Sequence, residues 1–290
     1  MSLTLVRTWS LPFSHAQLWE ALSQPGQLRR WWLPLERFEP HVGGACQLEA
    51  GAALGVLSAQ VMRFSPGEDW QLDATDGSWR WRFELLPTSA RLAPEFPETT
   101  VRCTLQLQVP GAEVWAESWQ TLVLIQLHRQ LEEKLHVPTP MDFTRTHEPL
   151  IWLGTTISSP ARPIWQALTD SAIFNTFSGI ELKLRLEEGA RMLLRWPPRS
   201  GPEVEPGTVL SFKKDRVLVF RMPSSMLGAS KVTWSLMPSG GEVELELLHE
   251  EYPAEMETLG WRLRWMAFVL RVQAFVESKL ILPPAERLAG

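Results

Sequence analysis

The feature that most constrains this chain is an internal repeat at a separation of 146 residues. The stretch "HAQLWEALSQPGQLRRWW" (15–32) aligns with "ARPIWQALTDSAIFNTFS" (161–178), so that Trp19 corresponds to Trp165. The shared pattern W-x-A-L-[ST] puts the same apolar positions on the same turn of a short helix. A chain of this kind is expected to fold as two similar halves.

A second match supports the repeat at the other end of each half. There "VWAESWQTLVL" (114–124) aligns with "GWRLRWMAFVL" (260–270), and Trp119 corresponds to Trp265 at the same separation. Equal separations at both ends indicate two copies of one domain rather than a chance likeness of tryptophan-rich helices. The 290 residues are enough for two domains of ordinary size.

The boundary between the copies is expected near residue 140. The stretch "HVPTPMDFTRTHEP" contains three prolines and has no hydrophobic period, as is typical of a linker. We therefore predict a first domain at 1–136, a linker at 137–147 and a second domain at 148–290.

Within each copy the order of elements follows from the hydrophobic pattern. An alternating strand comes first, followed by two short helices and several strands separated by glycine or proline turns. Each copy then ends in an amphipathic helix, predicted at about 112–134 and about 254–280. The predicted fold class is α+β: two tandem domains, each with a curved antiparallel sheet wrapped around a long C-terminal helix.

The stretch "GSWRWRFELL" (77–86) alternates large aromatic residues with arginines. Such a run could stack on nucleic acid, insert into a membrane surface, or form a strand with one wet face. The formal net charge is -5, so the chain as a whole has no attraction for phosphate backbones. Strand alternation places Trp79, Trp81 and Phe83 inward, with Arg80 and Arg82 facing water.

The aromatic residues are the main candidates for a binding site. The chain has 15 tryptophans and a single tyrosine, and large rings either fill a core or line an apolar cavity. Both alternatives stay open at this stage. The candidate ligand-binding residues, from strands and long helices of both copies, are Trp79, Trp81, Phe83, Trp115, Trp119, Phe220, Met222, Trp234, Trp261 and Trp265.

Motifs for catalysis, metal binding or cofactor binding are absent from the sequence. It contains no G-x-S-x-G, no phosphate-binding glycine loop and no H-E-x-x-H, and its six histidines are scattered. Glu242, Glu244 and Glu246 share one strand face about 7 Å apart, which fits a solvated surface better than a cation site. Arg80 and Glu117 remain isolated polar candidates. We expect no catalytic residue, no metal and no cofactor.

The compartment is predicted from the start of the chain and from the cysteines. "MSLTLVRTWSLPFSH" has no basic region followed by a sustained apolar one, so no signal peptide is expected. Arg262, Arg264 and Arg271 interrupt the most apolar stretch, which excludes a membrane span there. Cys46 and Cys103 stand alone, without a disulfide pattern. A cytoplasmic protein is predicted.

The two long helices differ on the face away from their main apolar stripe. The second copy carries Leu263, Met266 and Leu270 there, whereas the first copy has Glu117 and Gln120 at the positions of the first two. An apolar helix face needs a partner. We therefore predict that this face packs against the other copy or against a second chain.

The quoted motifs resemble a known family. The W-x-A-L-[ST] helix, the sheet and the terminal G-W-x-x-x-[WL] helix are similar to the START-like helix-grip superfamily, also called SRPBCC. Within it, the chain is most similar to the domain of the heat-shock chaperone ATPase activators and their bacterial relatives. The second copy follows the pattern more closely, because the first has Val114 where the helix glycine is usual.

The resemblance implies a cavity between the sheet and the long helix, where relatives hold lipids or other apolar molecules. The leading expectation is a non-enzymatic protein that binds a lipid or aromatic molecule in this cavity. The alternative is a chaperone-cofactor-like or stress-response module that binds a protein and has filled interiors. An enzyme of cyclase or hydrolase type ranks third, because it needs several polar groups inside the cavity and the sequence offers only isolated candidates such as Arg80 and Glu117. A shared fold by itself does not imply one activity.

Overall fold

The computed structural model describes residues 2–32, 35–49, 56–86, 98–108, 116–132, 150–196, 206–222, 230–251 and 258–288. The chain divides into two compact units: unit 1 is Met1–Arg145 with Leu282–Gly290, and unit 2 is Thr146–Ile281. The last nine residues thus belong to unit 1, whereas the sequence placed them in the second domain. The predicted linker, 137–147, lies outside the described residues.

Unit 1 begins with a strand and two short helices and ends in a long helix. Its elements are β1 (Leu3–Leu11), α1 (His15–Ser23), α2 (Pro25–Trp31), β2 (Leu35–Phe38), β3 (Ala45–Glu49), β4 (Val56–Ser65), β5 (Asp69–Ala74), β6 (Trp79–Leu86), β7 (Thr99–Leu107) and α3 (Ala116–Leu131).

Unit 2 has the same order of elements. They are β8 (Ile151–Ile157), α4 (Ala161–Thr169), α5 (Ser171–Phe177), β9 (Glu181–Lys183), β10 (Arg191–Arg195), β11 (Gly207–Lys213), β12 (Val217–Arg221), β13 (Lys231–Ser239), β14 (Glu242–Glu250) and α6 (Thr258–Ser278). A final short strand, β15 (Glu286–Leu288), follows and belongs to unit 1.

Each unit has one antiparallel sheet, and the two sheets have the same topology. Their strand orders are β1-β7-β6-β5-β4-β3-β2 and β8-β14-β13-β12-β11-β10-β9. The predicted α+β helix-grip fold is therefore confirmed. The sheets differ at one edge: β15 pairs with β1 in unit 1, and β8 has no outer strand among the described residues.

The short helices begin where local chemistry favours it. The Ser14 hydroxyl oxygen accepts from the backbone N–H of Gln17, and the Gln17 side-chain oxygen accepts from the backbone N–H of Ser14. The two bonds form a capping box at the start of α1. Asp170 caps α5 with its side chain alone, which accepts from the backbone N–H groups of Ala172 and Ile173. These side-chain caps favour the observed starts of α1 and α5, whereas Pro160 before α4 makes no side-chain cap bond.

Two short strands were missing from the sequence prediction. β2 has only four residues, and β15 forms a strand only through its pairing with β1, in the register Leu5 opposite Arg287. Neither has an alternating apolar pattern that a sequence window could detect. Among the described residues, no helix is long and apolar enough to cross a membrane.

Candidate functional site

The strand β6 forms an aromatic wall inside unit 1. Trp79, Trp81 and Phe83 are buried, and the alternate residue Arg80 is exposed, as the strand period requires. Trp119 from α3 meets this wall edge-on, with its ring centroid 6.4 Å from that of Trp79 and 5.3 Å from that of Trp81. The candidate residue Trp115 lies outside the described residues.

Further rings that the sequence did not single out extend this wall. Trp31 and Trp32 from the α2 end, and Trp70 from β5, are buried against it. Trp32 lies 5.3 Å from Trp70, and Trp70 lies 5.0 Å from Phe83, between ring centroids. Rings at these separations are in contact. This part of unit 1 is filled by aromatic side chains packed on one another.

The outer face of β6 carries arginines that are paired with carboxylates. Arg80 donates to Asp73 with an Nη2–Oδ2 distance of 2.6 Å, and Arg82 donates to Asp69 at 2.7 Å. Burial alone would raise the pKa of Asp69, but hydrogen bonds from Arg82 and Arg63 outweigh it and lower the pKa. The arginines of "GSWRWRFELL" thus belong to ion pairs across neighbouring strands, which is a structural role.

Unit 2 has its own aromatic interior. Trp234 on β13 lies 5.1 Å from Phe220 on β12 and 5.3 Å from Phe268 on α6, between ring centroids. Trp261 and Trp265 come from the start of α6, and the two rings are 6.3 Å apart. The structure thus brings together the candidate residues of strand and helix in this unit, and Met222 is buried at the end of β12.

A polar group lies at the end of this interior next to the α6 tryptophans. His249 on β14 is fully buried, and its Nε2 is 2.9 Å from Oγ of Ser230. Nε1 of Trp265 donates to Nδ1 of the same imidazole at 3.0 Å. Ser230 is itself fully buried, and its backbone carbonyl accepts from the backbone of Met222.

The protonation of this group follows from the donor–acceptor inventory. An indole N–H only donates, so Nδ1 of His249 is the acceptor and the proton of the neutral ring is on Nε2. Nε2 therefore donates to Ser230. Burial lowers the pKa of His249 to about 4, so the ring is neutral at pH 7.

Sequence analysis did not single out His249 or Ser230. The alternation of β14 nevertheless predicts that His249 faces inward. Glu242, Glu244 and Glu246 face outward, so the odd-numbered residues of the strand, which include His249, face the interior. The three glutamates do lie on one outer face, as predicted. Ser230 had no signal, because it precedes β13 and its partner is distant in sequence.

The matching topology allows the two interiors to be compared position by position. Leu5 on β1 pairs with Leu105, which pairs with Trp81. The corresponding residue of β8, Ile151, pairs with His249, which pairs with Val232. Trp81 therefore corresponds to Val232, and Leu105 corresponds to His249.

Two residues earlier on the same strands, Trp79 corresponds to Ser230. Two indoles that contact Trp119 in unit 1 are thus replaced by a serine and a valine in unit 2, where the serine bonds to His249 and His249 bonds to Trp265. At the next inward position of the same strand the side-chain volume changes in the opposite direction, because Phe83 of unit 1 corresponds to the larger Trp234 of unit 2. The loss of side-chain volume is therefore local to the end where Ser230 and His249 lie.

Unit 1 has a charged group in the corresponding interior. Arg7 on β1 is buried, and its Nη1 donates to Oγ1 of Thr121 on α3 at 3.0 Å. Its Nη2 lies 3.6 Å from Oε1 of Glu117, which also pairs with Arg287 of β15 at 3.9 Å. Glu117, an isolated candidate in the sequence, is therefore the counter-ion of a buried arginine.

The predicted apolar face of the second long helix is covered. Leu263, Met266 and Leu270 are all buried within the single chain. Both cysteines are buried as well, and burial raises the pKa of Cys46 to about 12, so its thiol is not a nucleophile at neutral pH. Across the residues that are described, no three His, Cys, Asp or Glu side chains come together as metal ligands.

The comparisons with known proteins agree with this fold. Residues 158–271 match the family model described as "Activator of Hsp90 ATPase homolog 1-like protein", and this range lies within unit 2. Together with the matching topology of unit 1, the match confirms the START-like helix-grip resemblance. No curated protein matches the sequence.

Several solved structures are similar to the chain at low identity. CalU16 from Micromonospora echinospora is 22% identical over 45% of this chain and 76% of its own, with a TM-score of 0.39. DynU16, described as a putative protein in the dynemicin biosynthetic locus, is 14% identical over 95% of this chain and 98% of its own, with a TM-score of 0.39. The Aha1 dimer from Colwellia psychrerythraea is 14% identical over 44% of this chain and 96% of its own, with a TM-score of 0.39.

Proposed function

We propose that this START-like helix-grip protein binds an apolar small molecule, a lipid or an aromatic compound, in the interior of unit 2. The molecule would lie between the sheet and α6 and would be held without chemical conversion. One observation carries the proposal: unit 2 has Ser230 and Val232 where unit 1 has Trp79 and Trp81. The other candidate cavity residues of unit 2 would line the same space.

Side-chain volumes differ between the two units at these matched positions. Protein interiors are packed closely, and replacing an indole by a serine or a valine leaves space unless neighbouring groups move into it. In unit 1 the indoles of Trp79 and Trp81 extend to the ring of Trp119. In unit 2 the corresponding helix residue, Trp265, instead donates to His249, which in turn bonds to Ser230.

The surroundings of this space suit an apolar ligand. Trp196 meets Trp265 edge-on at 5.2 Å and Trp261 at 6.1 Å, between ring centroids. Small-molecule sites are typically lined by apolar and aromatic side chains and contain a few polar groups. In unit 2 the polar groups would be Ser230 and His249. Unit 1, whose matched positions are occupied by indoles, would be a domain with a filled interior.

The test transfers the residues of unit 1 into unit 2. Ser230→Trp combined with Val232→Trp would place two indoles in the proposed site. We expect the variant to be no less stable than Ser230→Ala, which breaks the same hydrogen bond to His249, and to lose affinity for 2-ethylnaphthalene at least tenfold in calorimetric titration. The matched control is Thr233→Trp, which adds an indole on the outward side of the same strand and keeps the affinity.

The opposite result would contradict the proposal. If the interior of unit 2 were filled, the two indoles would overpack it and lower the free energy of unfolding by about 1 to 3 kcal/mol or more below that of Ser230→Ala. Native mass spectrometry of the purified protein adds a second readout. A bound small molecule that is absent from the double-tryptophan variant would support the proposal.

A protein-binding module is the second candidate, and exposed apolar side chains favour it. Leu150, just before β8, and Trp152, within it, are 39% and 54% exposed, and β8 is an edge strand of its sheet in the described part of the chain. The family model that matches unit 2 is named for an activator of the Hsp90 ATPase, and such an activator would act by binding another protein. Absence of naphthalene binding, together with a destabilised double-tryptophan variant, would leave this candidate ahead.

The remaining expectations are narrower. A single chain already buries Leu263, Met266 and Leu270, so self-association through this face is not part of the proposal. The cytoplasmic compartment remains a prediction from the sequence. Fractionation of the source cells with an antibody against the protein would test it.

A further inference from the structure

The buried serine of unit 2 has a hydrogen-bond donor that its neighbours do not use. Oγ of Ser230 accepts from Nε2 of His249, because Trp265 makes Nδ1 the acceptor of that ring. The hydroxyl hydrogen of Ser230 then needs an acceptor of its own. In the described part of the chain, none lies within hydrogen-bonding distance.

An unmet donor at this place is costly. Ser230 is fully buried, and a buried hydroxyl group without a hydrogen-bond acceptor lowers the free energy of unfolding. The serine is also fixed: His249 orients its oxygen, Trp265 orients His249, and the backbone of Met222 holds the serine carbonyl at 2.9 Å. The arrangement resembles a pre-oriented polar group in an apolar ligand site.

The geometry points to the Ser230 hydroxyl as the donor that recognises an acceptor oxygen on the bound molecule, with His249 as its positioning residue. This inference rests on the proposed function and specifies its ligand: a neutral aromatic or alicyclic compound bearing a ketone or similar carbonyl oxygen. Unit 1 lacks the group, since Trp79 and Leu105 stand at the matched positions.

Neutrality of the ligand follows from the described group that contacts the serine. It is the uncharged imidazole of His249, which supplies no positive charge for a carboxylate. A carboxylate would lose its hydration without gaining a counter-ion there. A carbonyl oxygen loses less hydration and gains one hydrogen bond, so the site should prefer a ketone over both the hydrocarbon and the acid.

Three naphthalene probes of similar shape separate these contributions: 2-acetylnaphthalene, 2-ethylnaphthalene and 2-naphthoate. Calorimetric titration of the full chain at pH 7 should show the ketone bound about fivefold more tightly than the hydrocarbon, which is the effect of one ordinary hydrogen bond. The naphthoate should bind more weakly than either. In Ser230→Ala, the ratio of ketone to hydrocarbon affinity should fall to about one.

The role of His249 has its own variants. In His249→Leu, the residue of the matched position in unit 1, the serine loses its orienting donor and the ketone preference should fall. His249→Gln should restore the preference, because its amide can accept from Trp265 and donate to Ser230. A role of His249 in stability alone would not change the ratio of the two affinities.

The outcomes distinguish the two proposals. If the unaltered protein binds both probes and Ser230→Ala keeps the ketone preference, the serine is not the anchor, while the proposed function stands. If the protein binds no probe, the proposed function fails for this ligand class and the anchor fails with it. Ser235→Ala, on the outward face of β13, is the matched control and should keep the preference.

Discussion

In unit 2, Nε1 of Trp265 donates to Nδ1 of His249 across a distance of 3.0 Å. The bond joins the long helix to strand β14 and requires the imidazole to stay unprotonated at Nδ1. Because burial lowers the pKa of His249 to about 4, well below that of a histidine in an unfolded chain, folding is coupled to pH at this residue.

The first prediction concerns this coupling. Between about pH 6.5 and pH 4 the unfolded chain binds a proton at His249 that the folded protein does not bind. The stabilising contribution is therefore fully present above pH 6.5 and decreases as the pH falls, by up to about 3 kcal/mol. Urea denaturation at pH 7, 5.5 and 4.5 should show this loss in the unaltered protein.

The control for this prediction is His249→Gln, which keeps both hydrogen-bonding directions and cannot titrate in this range. Its free energy of unfolding should depend less on pH over the same interval, with only the carboxylates contributing. Parallel pH dependences for the two proteins would show that His249 is not linked to folding.

The second prediction concerns the buried arginine of unit 1. Glu117→Gln removes the nearest counter-charge of Arg7, whose guanidinium lies 3.6 Å away and whose pKa burial already lowers. We expect a loss of about 1 to 3 kcal/mol in the free energy of unfolding, because a buried charge is left without its partner. Urea denaturation at pH 7 measures it.

Arg7→Leu is the matched variant, since Leu153 stands at this position in unit 2. It removes the charge together with its desolvation cost, and the carboxylate of Glu117 keeps Arg287 as a neighbour. We expect a smaller loss than for Glu117→Gln. A larger loss for Arg7→Leu would mean that the arginine contributes net stability to unit 1.

The third prediction compares two fully buried tryptophans of unit 1. Nε1 of Trp31 donates to the carbonyl of Ala21 at 2.9 Å, whereas Nε1 of Trp70 has no acceptor among the described residues. Replacement by phenylalanine removes similar volume in both cases. Trp31→Phe should cost about 1 kcal/mol more, since it also breaks a hydrogen bond and leaves a carbonyl unpaired. Equal or reversed losses in urea denaturation would contradict this.

Much of the fold was predictable because it depends on local periodicity. Alternation along β6 correctly placed Trp79 and Trp81 inside and Arg80 outside. The capping box at Ser14 lies within four residues of sequence, and the start of α1 follows from it. The repeat itself required only that similar segments recur at a constant separation.

The candidate site was predictable only in part. Alternation places Arg7 on the same inward strand face as Leu5 and Trp9. A buried guanidinium needs polar partners, and only the tertiary structure shows that Thr121 and Glu117 supply them. Burial of the aromatic candidates follows from their pattern. Whether their rings fill the space depends on which rings meet across the sheet.

The sequence alone determined the two-copy organisation, the α+β class and the inward or outward direction of the strand residues, because each depends on spacing along a short stretch of chain. Tertiary structure decided which side chains meet. The bond between Trp265 and His249, the bond between Arg7 and Thr121, and the pairing of β15 with β1 join elements that no tight turn connects. Such contacts depend on how helices and strands pack in the finished core, which no local pattern encodes.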